Sequence, residues 1–165
     1  MDEATAKLMA EKKIWLSTQP FPPEMADVFP PGSSERAKFE EVLKGMDSTY
    51  RLAKKYSLKT AFGTDILFSP ALAPRQGELL ASLTRWYRPA EVLTMATSVN
   101  AQLLALSGLR NPYPGKLGRI EEGALADLLL VEGDPLTNIK LLENPKENIL
   151  VIMKDGKIYK NTLSK

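Results

Sequence analysis

A carboxylate that follows a short apolar strand and a Gly-Thr turn stands where α/β proteins place chemistry. Lys59-Thr60-Ala61-Phe62-Gly63-Thr64-Asp65 has that form. The loops beyond strand ends build the concave face that meets a substrate. Asp65 is therefore the leading candidate for catalysis. The competing reading is a plain turn in which its carboxylate caps a backbone amide. Gly63 and Thr64 shape the turn, and Thr64 is a candidate substrate contact. Ser17, Thr18 and Gln19 close an earlier β-prone run, Ile14-Trp15-Leu16-Ser17-Thr18, and can also touch substrate, ordinary strand-end hydrogen bonding being the alternative for those three.

Other chemistries are excluded by composition. The 165 residues include no cysteine, so disulfides, thiolate metal sites and thiol nucleophiles are ruled out. There is no histidine either, which removes Ser-His-Asp and Cys-His catalysis and every imidazole-held metal. Twenty-two basic against 20 acidic residues leave a net charge of +2, too little to favour nucleic acid or an anionic membrane. Arg85-Trp86-Tyr87-Arg88 combines aromatic and basic groups, yet it precedes Pro89 and reads as a helix end. Glu40-Glu41 and Glu121-Glu122 are sequence neighbours that cannot face one point on regular structure. Asp127 and Asp134 read as structural, at a strand entry and in an Asp-Pro turn. The amino terminus lacks a basic region leading into an apolar run, and no stretch is long enough to span a bilayer. The expected location is the cytoplasm.

The elements that must position these residues alternate. Asp2 to Lys12 carries Ala4, Leu8 and Met9 at helical spacing and predicts a short amphipathic helix. The Ile14–Thr18 run predicts a buried strand, ended by Gln19-Pro20. Phe21 to Ser34 holds Pro22, Pro23, Pro30, Pro31 and Gly32 and predicts a long stiffened loop. Ser33 or Ser34 then caps a helix reaching about Tyr56, with Phe39, Val42, Leu43, Met46, Tyr50 and Ala53 on its core face. The Lys59–Asp65 strand follows, then a Pro-bearing loop through Pro74. Strand, loop, helix, strand, loop is the order of parallel strands with crossover helices.

A further helix is predicted over Gln76 to Trp86 with Leu79, Leu80 and Leu83 inward, and Pro89 opens another. Thr97 or Ser98 is expected to cap one more, carrying Leu103, Leu104 and Leu106 up to Gly108. From Asn111-Pro112-Tyr113-Pro114-Gly115 onward the pattern is β structure with tight turns. Ala126 to Val131 predicts a short strand, and Ile149–Met153 with Lys157–Tyr159 predicts a hairpin closed by a type I′ turn at Asp155-Gly156.

Taken together, these pieces resemble the carboxyl-terminal part of a metal-dependent amidohydrolase, in the branch containing imidazolonepropionase-like and prolidase-like enzymes. Ala61-Phe62-Gly63-Thr64-Asp65 is similar to that family's last barrel strand and its terminal aspartate. Pro89-Ala90-Glu91-Val92-Leu93, running on to Ala96-Thr97-Ser98-Val99-Asn100-Ala101 and Leu104, resembles the helix pair after the barrel. Gly115 to Leu128, with Asp134-Pro135 close behind, resembles the β-sandwich segment beside the barrel. Asp2 to Pro20 looks like the helix and strand that precede the final barrel strand, the Pro-rich loop being an insertion. The implied fold is α/β, a partial (β/α)₈ barrel made of its last strands and helices over residues 1–108, followed by a small β-sandwich segment over 109–165.

The resemblance implies a hydrolase of C–N bonds in amides, cyclic amides or dipeptides, holding a divalent metal, zinc, in the complete enzyme. Asp65 would bind that metal and take a proton from the attacking water. Members of the family draw their other ligands from a His-x-His pair, often a modified lysine, and two more histidines. A chain without histidine supplies none of these, and a whole (β/α)₈ barrel takes about 250 residues. The expectation is a fragment, begun internally at Met1, that holds no metal and is inactive alone. Its partners would be a small-molecule or dipeptide substrate in the parent and further copies of itself, with neither nucleic acid nor membrane. The alternative is a non-catalytic assembly or interaction module derived from an amidohydrolase.

Overall fold

The computed structural model describes residues 1–66, 70 and 72–163. The chain divides into two compact units, Met1–Asp65 and Ile66–Lys165.

The first unit is a β-α-β arrangement preceded by a helix. Helix α1 spans Glu3–Glu11, with Asp2 as its N-cap accepting from the Thr5 amide at 2.8 Å. Its inward side is centred on Ala6, fully buried, while Leu8 is half exposed. The expected face of Ala4, Leu8 and Met9 is thus rotated: a short helix carrying several alanines leaves its small residue, not its leucine, at the close contact. Strand β1 is Leu16–Thr18. After it, Pro23–Val28 forms a 3₁₀ segment inside the Pro-rich loop, with Met25 and Ala26 buried.

Helix α2 runs Ser34–Lys55, and Ser33 caps it by accepting from the Arg36 amide at 3.1 Å. Met46, Tyr50 and Ala53 of the expected stripe are buried, and Phe39 and Leu43 are half-buried. Val42, 46% exposed, is not on the core side. Strand β2, Thr60–Phe62, is shorter than the expected Lys59–Asp65 and pairs with β1 in parallel. Two parallel strands joined through a helix form a βαβ unit. β1 is not the buried strand expected from its sequence. Among the described residues it pairs only with β2, in a two-stranded sheet, and Ser17 is exposed with its neighbours half-buried.

In the second unit, Leu67, Phe68, Ser69 and Ala71 of the expected Pro-bearing loop lie outside the described residues. Helix α3, Gln76–Ser82, continues into a 3₁₀ turn at Leu83–Arg85, and Leu79 and Leu83 are almost fully buried. Trp86 is buried too, and the Arg85 guanidinium lies 4.1 Å from its ring centroid, consistent with a helix end. Helix α4 (Pro89–Thr94) passes through a π turn at Met95–Val99 into α5 (Asn100–Ala105) without interruption. The break expected at Thr97 or Ser98 is absent because the Thr97 hydroxyl turns back and donates to the Leu93 carbonyl at 2.7 Å. Leu104 and Leu106 are exposed.

Strands β3 (Leu128–Val131), β4 (Ile149–Lys154) and β5 (Lys157–Asn161) form an antiparallel sheet in that order. A short helix, α6, spans Pro145–Asn148. Asp155 and Gly156 both have positive φ, 49° and 74°, as a type I′ turn requires. The architecture is mixed α/β. No helix among the described residues is long and apolar enough to cross a membrane.

Candidate functional site

The parallel register fixes where the candidate residues emerge. Leu16 stands opposite Thr60, Ser17 opposite Ala61 and Thr18 opposite Phe62. Both strands therefore stop at the same level, and Gln19 leaves one while Gly63-Thr64-Asp65 leaves the other. A side chain added at Gly63 would come within 4.0 Å of the Ser17 Oγ, so the two exits are neighbours. The pairing begins at the amide of Leu16, which donates to the Lys59 carbonyl at 2.8 Å.

Asp65 adopts the left-handed backbone region, φ 49°, and is exposed. Aspartate tolerates that region better than most residues, and such a conformation at a strand end turns the side chain out of the strand's alternation. Among the described residues no hydrogen bond or ion pair engages its carboxylate. The amide-capping role that a plain turn would give it is thus not realised among them. Thr64, the residue before it, is half-buried, as are Thr18 and Gln19 at the end of β1, and Ser17 is exposed.

What sequence reasoning missed is the support behind this edge. Tyr50, fully buried on α2, donates its hydroxyl hydrogen to the Thr18 carbonyl at 3.0 Å. Pro20 is fully buried one residue past Gln19. The tyrosine was legible as core but carried no signal of its bond, because periodicity places a residue on a face without saying what its polar tip meets. Thr60, the buried polar residue of β2, is satisfied locally, its hydroxyl donating to the Leu58 carbonyl at 3.1 Å.

The other acidic residues do not converge here. Asp127 accepts from the Asp155 amide at 2.7 Å and lies 3.8 Å from the Lys154 Nζ, so it organises the β4–β5 turn. Asp134 accepts from the Leu136 amide at 2.9 Å. Both fit the structural reading. Among the described residues no three histidine, cysteine, aspartate or glutamate side chains gather where they could hold a metal ion. The one carboxylate at the strand ends does not make a cation site, because a divalent ion needs several convergent donors.

Comparison with known proteins agrees with this arrangement. The sequence matches the profile of the Amidohydrolase family over residues 5–159. The ochratoxinase of Aspergillus niger is 29% identical over 167 aligned residues, covering 96% of this chain and 32% of that protein. This chain therefore spans about a third of the curated relative it matches. A crystal structure of an amidohydrolase superposes with a TM-score of 0.81 at 30% identity, covering 99% of this chain and 38% of the other. A prolidase crystallised with N-methylphosphonate-L-proline superposes equally well, TM-score 0.81, at 24% identity and with 98% and 38% covered; at that identity the likeness is one of fold. With nearly its whole length matched by the family profile, the chain belongs to the Amidohydrolase family.

Proposed function

We propose that this chain is the portion of an amide- or dipeptide-cleaving hydrolase that contributes one active-site carboxylate, Asp65. The observation that carries the reading is the pair of parallel strands ending level at Thr18 and Phe62, with Asp65 turned out of the strand in left-handed backbone beyond them. Membership of the Amidohydrolase family and the likeness to ochratoxinase support a substrate with a C–N bond of the amide kind. Thr64, Thr18 and Gln19 are the proposed substrate contacts. The architecture that goes with it is the end of a (β/α)₈ barrel over residues 1–108 and a β-sandwich segment over 109–165.

The chemistry proposed for Asp65 is proton transfer. As a water oxygen bonds to the substrate's carbonyl carbon, an Asp65 carboxylate oxygen takes the water proton. It then delivers that proton to the departing amine nitrogen as the C–N bond breaks, so one group serves as base and then acid. The family is in general metal-dependent, and a bound divalent cation lowers the pKa of its water towards about 7. The residues described here do not make such a site by themselves, so the chain alone is expected to lack turnover.

A second reading, a non-catalytic assembly module, is favoured by the exposed leucines of β3: Leu128, Leu129 and Leu130 are 37%, 57% and 47% accessible. Apolar edge strands favour pairing with another chain. Two measurements on the 165-residue chain separate the readings: mass in solution, and release of amino acid from Xaa-Pro dipeptides with added zinc. Turnover by the chain alone would contradict the hydrolase-portion reading. Failure of a longer polypeptide containing it to cleave any amide would favour the assembly module.

A further inference from the structure

The buried tyrosine behind the strand ends has a consequence for the site, and the inference rests on the proposed hydrolase reading. We infer that Tyr50 is the positioning residue for the Thr18–Gln19 exit: it sets the level at which the chain leaves β1 and so where Gln19 meets a substrate held beside Asp65. A tyrosine with no exposed surface must satisfy its hydroxyl, and this one spends it on the carbonyl of the last residue of β1, 3.0 Å away. Thr18 is also the last residue of the parallel ladder, opposite Phe62. The Tyr50 hydroxyl thus reaches the carbonyl at the very end of the ladder, and Gln19 follows immediately.

The segment that leaves from this point is itself held against α2. Phe21 and Phe29 meet the Phe39 ring with centroid separations of 6.0 and 5.6 Å, and Arg36 pairs with Asp27 at 3.2 Å. A loop clamped this firmly transmits a displacement of its root rather than absorbing it. Tyr50 thus governs the loop's starting point while Phe39 and Arg36 govern its body.

The test compares amide hydrogen exchange in the 165-residue chain with that of Tyr50→Phe, using Tyr56→Phe as the control. Removing one oxygen leaves the ring in place. The expected result is exchange at least about tenfold faster confined to Ser17, Thr18, Gln19 and the facing Ala61 to Thr64, with α2 and the second unit unchanged. Uniform acceleration across the first unit, or none at the strand ends, overturns the inference. In a longer polypeptide that turns over a dipeptide, the same variant is expected to raise KM about fivefold or more while kcat stays within about twofold. A variant whose KM is unchanged, or whose loss is confined to kcat, would contradict it. A wild type without turnover contradicts the hydrolase reading alone, since the exchange result stands independently.

Discussion

Thr18 and Phe62 stand opposite each other as the last residues of the parallel β1–β2 pair. Everything proposed about the site follows from that relationship. Two strands that end at one level release their loops side by side, and the loop after Phe62 carries Asp65 while the loop after Thr18 carries Gln19. The ladder is short, so its ends depend on what α2 supplies from behind, above all the Tyr50 hydroxyl.

Gly77 is the most sensitive backbone position in the second unit. A methyl group there would lie 1.8 Å from the Leu142 carbonyl oxygen, a backbone atom with no rotamer to yield. Gly77→Ala is expected to cost about 3 kcal/mol, since overpacking against backbone forces whole elements apart. Urea unfolding checks it. Gly45→Ala, where nothing lies within 4 Å, should be neutral or stabilising because alanine is the better helix former.

The pinning of α1 to the end of α2 is expected to fail in acid. Glu3 pairs with Lys55 at 2.6 Å and accepts from the Tyr56 hydroxyl. The Lys55 hydrogen bond first, and that of Tyr56 next, pull the Glu3 carboxyl down from 4.5 to about 2. A carboxyl whose pKa is lower in the folded state stabilises above its unfolded value and loses that contribution as pH falls through the folded one. The contact should therefore persist above about pH 4.5 and weaken progressively towards about pH 2. Chemical shifts of the α1 amides followed through that range should show the release, and Glu3→Gln should flatten the titration. The group is exposed, so the effect should also shrink in high salt.

Asp127→Ala is expected to loosen the β4–β5 turn. The variant loses the acceptor for the Asp155 amide, while Gly156 keeps its bond to the Ala126 carbonyl at 3.1 Å. A net loss of about 1 kcal/mol is expected, read by thermal unfolding. Asp127→Asn, which retains a side-chain oxygen, should recover most of it.

Much of this was legible in the sequence because local rules govern it. A serine N-cap at 33 or 34, the Phe39-to-Ala53 stripe apart from Val42, and the Asp155-Gly156 turn each follow from neighbours within a few residues. The order of strand, helix and strand implied parallel pairing, which the β1–β2 register bears out. Illegible were features fixed by distant atoms. Thr97, expected with Ser98 as a cap candidate, stands inside a continuous helix, where Gly118 from twenty-one residues on packs so close that an added side chain would sit 2.5 Å from the Thr97 carbonyl. The rotation of α1 onto Ala6 depends on what lies across from it. At the site, the sequence indicated Asp65 and its strand end, whereas the Tyr50 anchor and the left-handed backbone at Asp65 required coordinates.

Asp65 as the proton-transferring carboxylate of an amide hydrolase is tested most directly by Asp65→Asn in a longer, active polypeptide containing this chain. Asparagine keeps the size and shape and removes the basic oxygen. Steady-state hydrolysis of an Xaa-Pro dipeptide should fall by about 10²-fold or more in kcat, the usual scale for losing a general base, with melting temperature unchanged. Wild-type kcat in the asparagine variant would contradict the role assigned to Asp65.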